Sequence, residues 1–142
     1  MSQYFSVELR RLLIEADNGL CAYCQSAEEN IGDSLSIDHI IPASKDGPTE
    51  FENLCRACRR CNETKNDRVD GIDPVTRAKA PLYNPRMQQW DDHFQWDQTG
   101  TRIIGLTPTG RVTVLVLDMN NELIQFARRR WVAGGWHPPN QL

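Results

Sequence analysis

The sequence contains no long hydrophobic run and no excess of positive charge. Its apolar stretches fall well short of the ~20 residues that span a membrane, and Met1–Phe5 has neither the basic start nor the apolar centre of a signal peptide. The formal net charge of −3 argues against a general nucleic-acid coat protein, which would be basic. We therefore expect a cytoplasmic protein that does not contact membranes.

The length of 142 residues limits the size of the hydrophobic core. A chain of this length forms one domain, or a small domain with an extension, and a bound metal often stabilises so small a core. Residues 70–74 read as a linker, so we expect a first domain at residues 1–72 and an extension at residues 73–142, packed on it.

Apolar spacing and turn residues predict a mixed α+β fold without internal repeats. The elements expected in the first part are a helix at residues 3–16, a loop at 25–34, strands at 35–41 and 51–54, and a basic helix at 59–69. The extension is expected to contain a hairpin with strands near 93–96 and 102–106, and helices at 107–119 and 121–133.

Five cysteines in a protein expected to be cytoplasmic indicate metal or redox chemistry before disulfides. Cys21 and Cys24 form one CxxC pair, and Cys55, Cys58 and Cys61 form two overlapping ones. Two CxxC pairs can supply four thiolates to a tetrahedral zinc ion. We select Cys58 and Cys61 for the second pair, because Cys55 lies at the expected end of a strand and is interpreted as a core thiol. Buried metal-free thiols and a redox pair are the alternatives.

Asp38 and His39 are adjacent polar residues in an otherwise apolar strand. Asn62 and Lys65, three residues apart, share one helical face. Asp38 and Asn62 offer oxygen ligands suited to Mg²⁺, and His39 titrates near neutral pH and could accept a proton from an attacking water. Successive strand residues point to opposite faces, so this site requires a bend in the strand. A structural Asp-His pair is the alternative.

An ordered set of motifs resembles the HNH endonuclease family in its zinc-knuckle form. The matching stretches are Asp38-His39-Ile40-Ile41-Pro42, Asn53-Leu54 and Cys58-Arg59-Arg60-Cys61-Asn62-Glu63-Thr64-Lys65. The resemblance implies a two-stranded hairpin followed by a helix, the ββα-metal arrangement. It also implies that His39 is the general base, that Asp38 and Asn62 are metal ligands, and that Asn53 holds the loop and orients the histidine.

One position departs from the common pattern, because Asn62 stands where the family often has histidine. A neutral amide binds metal more weakly than imidazole and favours a hard ion such as Mg²⁺. The resemblance implies a catalytic Mg²⁺ or Mn²⁺ ion beside the structural zinc, and no small-molecule cofactor. It further implies a nucleic-acid substrate, with DNA preferred, whose phosphates would contact basic side chains. These are Arg59, Arg60, Lys65 and Arg68.

The extension resembles the C-terminal part of small stand-alone HNH proteins of cyanobacteria and related bacteria, through stretches such as Tyr83-Asn84-Pro85-Arg86. Its aromatic residues, together with His93 and His137, are expected to be structural. Arg128–Arg130 fan out around the last helix and predict a solvated face. We therefore expect a metal-dependent endonuclease. A non-catalytic zinc module that binds nucleic acid or protein, and a thiol redox protein, are the rival functions.

Overall fold

An amphipathic helix, α1 (Val7–Asp17), begins the chain in the computed structural model, which describes residues 5–139. The Ser6 hydroxyl caps α1 by accepting a hydrogen bond from the backbone N–H of Leu9, and Asn18 ends the helix in a left-handed conformation with φ of 53°. Residues 3 and 4 of the predicted helix lie outside the described residues.

A short hairpin and a helix form the centre of the first half. The hairpin pairs β1 (Ser36–His39) with β2 (Leu54–Ala57) in antiparallel register, with Asp38 opposite Cys55. The helix that follows, α3 (Arg59–Lys65), packs against β1. Another short helix, α2 (Glu28–Ile31), lies in the stretch that we predicted as a loop.

Several boundaries in this half differ from the prediction: α1 begins at Val7, and the strand predicted at 35–41 spans only Ser36–His39. The return strand expected at residues 51–54 is wrong, because Phe51–Asn53 forms a 3-10 turn and the strand begins at Leu54. The predicted helix at 59–69 ends at Lys65, where Asn66 adopts a φ of 51° that a continuing α-helix does not allow.

The second half contains two further hairpins and three helices. Residues 70–72 were predicted as a linker, which is wrong, because they form a strand that pairs with residues 79–81. The hairpin predicted near residues 93–106 is present. The elements are β3 (Asp70–Ile72), β4 (Lys79–Pro81), α4 (Trp90–His93), β5 (Phe94–Trp96), β6 (Ile103–Gly105), α5 (Pro108–Val116) and α6 (Glu122–Ala133). The predicted α+β class is confirmed.

One hydrophobic core contains residues from both halves, so the extension packs on the first half. The indole N–H of Trp90, in the extension, donates a 2.8 Å hydrogen bond to the backbone carbonyl of Tyr23. Arg86 forms a buried ion pair with Asp17 of α1, with Nη1 2.9 Å from Oδ1. Among the helices of residues 5–139, none has the length and apolar character needed to cross a bilayer.

The sequence predicts a solvated face for the arginine run on α6, and this prediction is wrong for one of the three residues. Arg129 and Arg130 are exposed, but Arg128 has a relative exposure of 0%. Its guanidinium donates to the carbonyl oxygens of Met119, at 2.7 Å, and Thr101, at 2.9 Å. Since consecutive helix positions are about 100° apart, one arginine of three faces inward.

Candidate active site and metal centre

Four cysteine sulfurs converge at one buried point. Their Sγ atoms all lie within 4.8 Å of one another, and they belong to Cys21, Cys24, Cys58 and Cys61. The first pair lies in a tight turn after α1, whose Ala22 N–H donates to the Arg56 carbonyl of β2. The second pair lies at the start of α3, where Cys58 is the N-cap residue. The hairpin therefore brings the two pairs together.

The chemistry and spacing of these sulfurs fit zinc. A tetrahedral ion with Zn–S bonds of ~2.3 Å separates its sulfurs by about 3.8 Å, and Cys24 Sγ lies 3.8 Å from Cys58 Sγ. Hydrogen bonds from neighbouring thiols, Cys21 first, lower the pKa of Cys24, whereas burial raises the pKa of Cys21. A divalent ion bound here would stabilise all four thiolates.

Cys55 lies apart from this cluster, beside Asp38. Its Sγ is 3.9 Å from Asp38 Oδ2, and burial raises the pKa of this thiol well above its usual range. The cluster thus contains the CxxC pair selected from the sequence and omits the overlapping alternative. Four sulfurs around one point also match a metal site better than a redox pair, which needs only two.

The Asp38 side chain points into the protein. Its Oδ2 accepts a 2.6 Å hydrogen bond from the Tyr23 hydroxyl and lies 3.2 Å from Lys65 Nζ. Burial raises the pKa of Asp38, and the Lys65 charge and the tyrosine hydroxyl oppose that rise. No role was predicted for Tyr23, although its position between Cys21 and Cys24 makes it part of the knuckle.

We predicted that Lys65 faces solvent and contacts a phosphate, but its side chain is buried. It is 1% exposed, and its ammonium also donates to the His39 carbonyl at 2.9 Å. The prediction of a direct contact between Lys65 and nucleic acid is therefore wrong. The last turn of α3 turns this side chain toward β1, where it contacts both Asp38 and His39.

His39 lies on the other face of β1, as the alternation of strand residues requires. It is half-buried, and its Nε2 lies 2.9 Å from the Thr49 hydroxyl. Burial lowers the pKa of His39 from its usual value, so the ring is neutral at physiological pH. No sequence pattern pointed to Thr49.

Asn53 closes the loop that joins the two strands of the hairpin. Its Oδ1 accepts from the Ile41 N–H at 2.8 Å, and its Nδ2 donates to the carbonyls of Ile41, at 3.0 Å, and Pro48, at 2.9 Å. A Cβ on Gly47 would overlap the Ile41 carbonyl oxygen, so the loop is closely packed there. Because Thr49 belongs to this loop, Asn53 also fixes the partner of His39.

Asn62 lies on α3 against the edge of β1. Its Nδ2 donates to Ser36 Oγ at 2.9 Å, and that hydroxyl donates to the Ala57 carbonyl at 3.2 Å. Because the serine proton is used on Ala57, Ser36 must accept from the amide nitrogen. The side-chain oxygen of Asn62, Oδ1, then accepts no hydrogen bond from any of residues 5–139. Ser36 and Asp38 share one face of the strand, so Asn62 and Asp38 border the same side of the hairpin.

The remaining predicted phosphate contacts are on the surface. Arg59 lies 3.6 Å from Asp33 and Arg60 lies 3.0 Å from Asp118, both in partly exposed ion pairs. Arg68 is exposed, and within the described part of the chain it has no ion-pair partner. These three arginines are accessible to a polyanion, unlike Lys65.

The hairpin, the helix and the cysteine cluster agree with the family comparison. Residues 21–68 match the model of the HNH endonuclease family, so this stretch is an HNH domain. It contains the four clustered cysteines as well as Asp38, His39 and Asn62.

A curated relative extends the match beyond the HNH domain. The chain is 24% identical over 114 residues to the Septu protein PtuB of Bacillus thuringiensis. The aligned residues make up 79% of this chain and 41% of that protein. The chain thus spans about two fifths of the length of that relative.

Proposed function

We propose that the protein is a metal-dependent endonuclease that hydrolyses phosphodiester bonds of DNA. The observation that carries this proposal is the arrangement of Asp38, His39, Asn53 and Asn62 around one hairpin and helix within an HNH domain. Asp38 and Asn62 would supply metal ligands and His39 would supply a base. Because His39 lies on the other face of β1, the three groups reach one phosphate only if the strand bends at its end.

His39 would act as the general base. Neutral imidazole carries one ring proton, and an Nε2–H donating to the Thr49 hydroxyl leaves the lone pair on Nδ1. That nitrogen has no hydrogen-bond partner among residues 5–139. It would accept the proton of a water molecule as the water oxygen attacks phosphorus, and the lowered pKa of His39 keeps the ring able to do so.

Asp38 and Asn62 would hold a divalent ion such as Mg²⁺ or Mn²⁺. Two oxygen ligands fit Mg²⁺, which retains water and takes further oxygens from a phosphate. When bound, such an ion supplies polarisation of the phosphate and stabilisation of the leaving oxygen. Lys65 already neutralises part of the charge on Asp38, so we expect weaker metal binding than at a free carboxylate.

The surface arginines would hold the nucleic acid without reading its sequence. Arg59, Arg60 and Arg68 can each contact a phosphate, and Arg59 and Arg60 would exchange their exposed carboxylate partners for it. Such contacts replace bound counterions, so affinity should fall steeply with salt.

Cleavage of supercoiled plasmid in Mg²⁺ or Mn²⁺ tests the proposal. We expect the native chain to cut and His39→Ala to lose about 100-fold or more in rate, which is the usual contribution of a general base. His93→Gln is the matched control, because His93 is hydrogen-bonded to Thr107 in the extension, and it should cut normally. Equal cleavage by the native chain and His39→Ala would contradict the proposal.

A second candidate is a non-catalytic zinc module that binds nucleic acid or protein. The ion pair between Asp38 and Lys65 favours it, because this carboxylate already has a buried cationic partner. Absence of cleavage with both ions, on plasmid, RNA and branched DNA, together with retained binding of DNA, would support this candidate.

A further inference from the structure

Arg128 is a buried cation without a carboxylate partner among residues 5–139. Its donors reach the carbonyl oxygens of Met119 and Thr101 and, at 3.2 Å, the side-chain oxygen of Asn120. Its Nε is buried and has no hydrogen-bond partner within the described part of the chain. By contrast, Arg86 and Arg56, whose side chains are 10% and 13% exposed, each contact an acidic side chain. A buried, uncompensated charge would be costly, so a compensating negative charge is expected nearby.

The cysteine cluster is a source of negative charge on that side, where the two carboxylates of the same cavity, Asp33 and Asp118, are already paired with Arg59 and Arg60. Arg128 lines a cavity of about 200 Å³ together with Cys24, Cys58 and Cys61. Burial lowers the pKa of Arg128, and the three sulfurs counteract this through their charge. Four thiolates around one Zn²⁺ carry a net charge of −2, which is itself unfavourable inside a protein unless a cation lies close by.

The tryptophan ring of Trp96 holds the guanidinium in this position. The Arg128 Cζ atom lies 5.1 Å from the centroid of that ring. The ring and the three oxygen acceptors restrain the Arg128 side chain from several directions. An arginine restrained in this way presents a fixed charge to the metal centre.

We propose that Arg128 is a positioning residue of the zinc centre. Its guanidinium compensates the negative charge of the zinc–thiolate cluster and makes zinc affinity depend on the docking of α6. The charge of the cluster would in turn stabilise α6 in its place, since coupling between two events is reciprocal. This inference requires zinc binding and does not require nuclease activity.

Two substitutions separate the charge of Arg128 from its hydrogen bonds. Arg128→Lys keeps the charge and loses the fork of donors, whereas Arg128→Gln keeps a donor and loses the charge. Zinc affinity is measured by competition with a chromophoric chelator. We expect the glutamine variant to bind zinc about 10-fold or more weakly, as for outer-shell partners elsewhere, and the lysine variant to stay within about threefold of the native chain.

A second readout follows the thiolates themselves. Loss of a nearby cation makes the thiolates harder to form, so the midpoint of acid-induced zinc release should move to higher pH in Arg128→Gln. The absorption of the Co²⁺-substituted protein reports whether all four sulfurs still bind. Arg130→Gln is the control, because Arg130 is exposed on the same helix and does not line the cavity, and its zinc affinity should equal that of the native chain.

Several results would overturn the inference. Zinc affinity and release midpoint that are unchanged in Arg128→Gln would assign the arginine a purely structural role. The same follows if the lysine variant binds zinc as weakly as the glutamine variant, since the charge alone would then make no difference. If the glutamine variant does not fold, the lysine variant decides alone: an affinity about 10-fold weaker than native contradicts the proposal.

Discussion

The ammonium of Lys65 lies 3.2 Å from Asp38 Oδ2, with 1% and 5% of the two side chains exposed. The same ammonium donates to the carbonyl of His39. One residue at the end of α3 therefore restrains both members of the Asp-His pair. The Lys65 charge also opposes the rise that burial causes in the pKa of Asp38.

Replacing Lys65 by methionine should destabilise the protein strongly. The change leaves Asp38 buried and unpaired, and breaking a buried ion pair costs about 3 kcal/mol or more. Urea denaturation measures the loss. Lys79→Met is the matched control, since the Lys79 side chain is 70% exposed and lies 3.9 Å from Asp70, and its loss should be under about 1 kcal/mol. Similar losses for the two variants would contradict the importance of burial.

Replacing Thr49 by valine should slow cleavage without preventing folding. Valine offers no hydroxyl to His39 Nε2, so the ring loses the contact that would set its tautomer and orientation. We expect the rate of plasmid nicking to decrease by about 10-fold. This is less than the full contribution of a general base, because His39 itself is retained. Binding of DNA and the dependence on Mg²⁺ should be unchanged. Thr76→Val, at an exposed position, is the control, and a native rate in Thr49→Val would exclude this role.

The rate of cleavage should stay near its maximum down to a lower pH than for a histidine base with an unshifted pKa. A general base works in its neutral form, and burial lowers the pKa of His39 below the usual 6.5. As pH falls, imidazolium therefore forms later and the rate declines later. Single-turnover cleavage between pH 5 and 8 should give a half-maximal rate below pH 6.5. A midpoint at or above that value would contradict the contribution of burial.

Substitution of single cysteines should separate ligands from the core thiol. Cys61→Ser removes one member of the sulfur cluster, so zinc content should fall and the melting temperature should drop. Cys55→Ser changes a thiol outside the cluster and should keep about one zinc per chain, as the four remaining sulfurs predict. Zinc is measured by elemental analysis. The reverse pattern would overturn the assignment.

The sequence predicts the parts of this protein that depend on local spacing. A CxxC turn brings two sulfurs to one side, and a strand that returns over its own loop brings two such turns together, so the cluster follows from chain order. The hairpin at β5 and β6 follows from alternation and a turn at Thr99-Gly100. Helix ends at Asn18 and Gly134 follow from residues that favour them.

The direction of long side chains is not contained in local spacing. Lys65 and Arg128 both stand on polar helices, where a solvated position is the usual outcome. Each is buried because a carboxylate, a set of carbonyl oxygens or an aromatic ring from a distant segment lies beside it. Thr49 likewise acquires its contact with His39 only when Asn53 folds the intervening loop back on itself. Such contacts depend on packing between segments.

Tyr23 joins three parts of the molecule. It stands between two clustered cysteines, its hydroxyl donates to Asp38, and its carbonyl accepts from Trp90. Local opening of a protein usually releases one cooperative unit while others persist. Here, loss of the metal or detachment of the extension would each loosen Tyr23, and with it the hydrogen bond that Tyr23 donates to Asp38. A partly unfolded or proteolysed copy would therefore lose the arrangement of Asp38 on which the proposed activity depends.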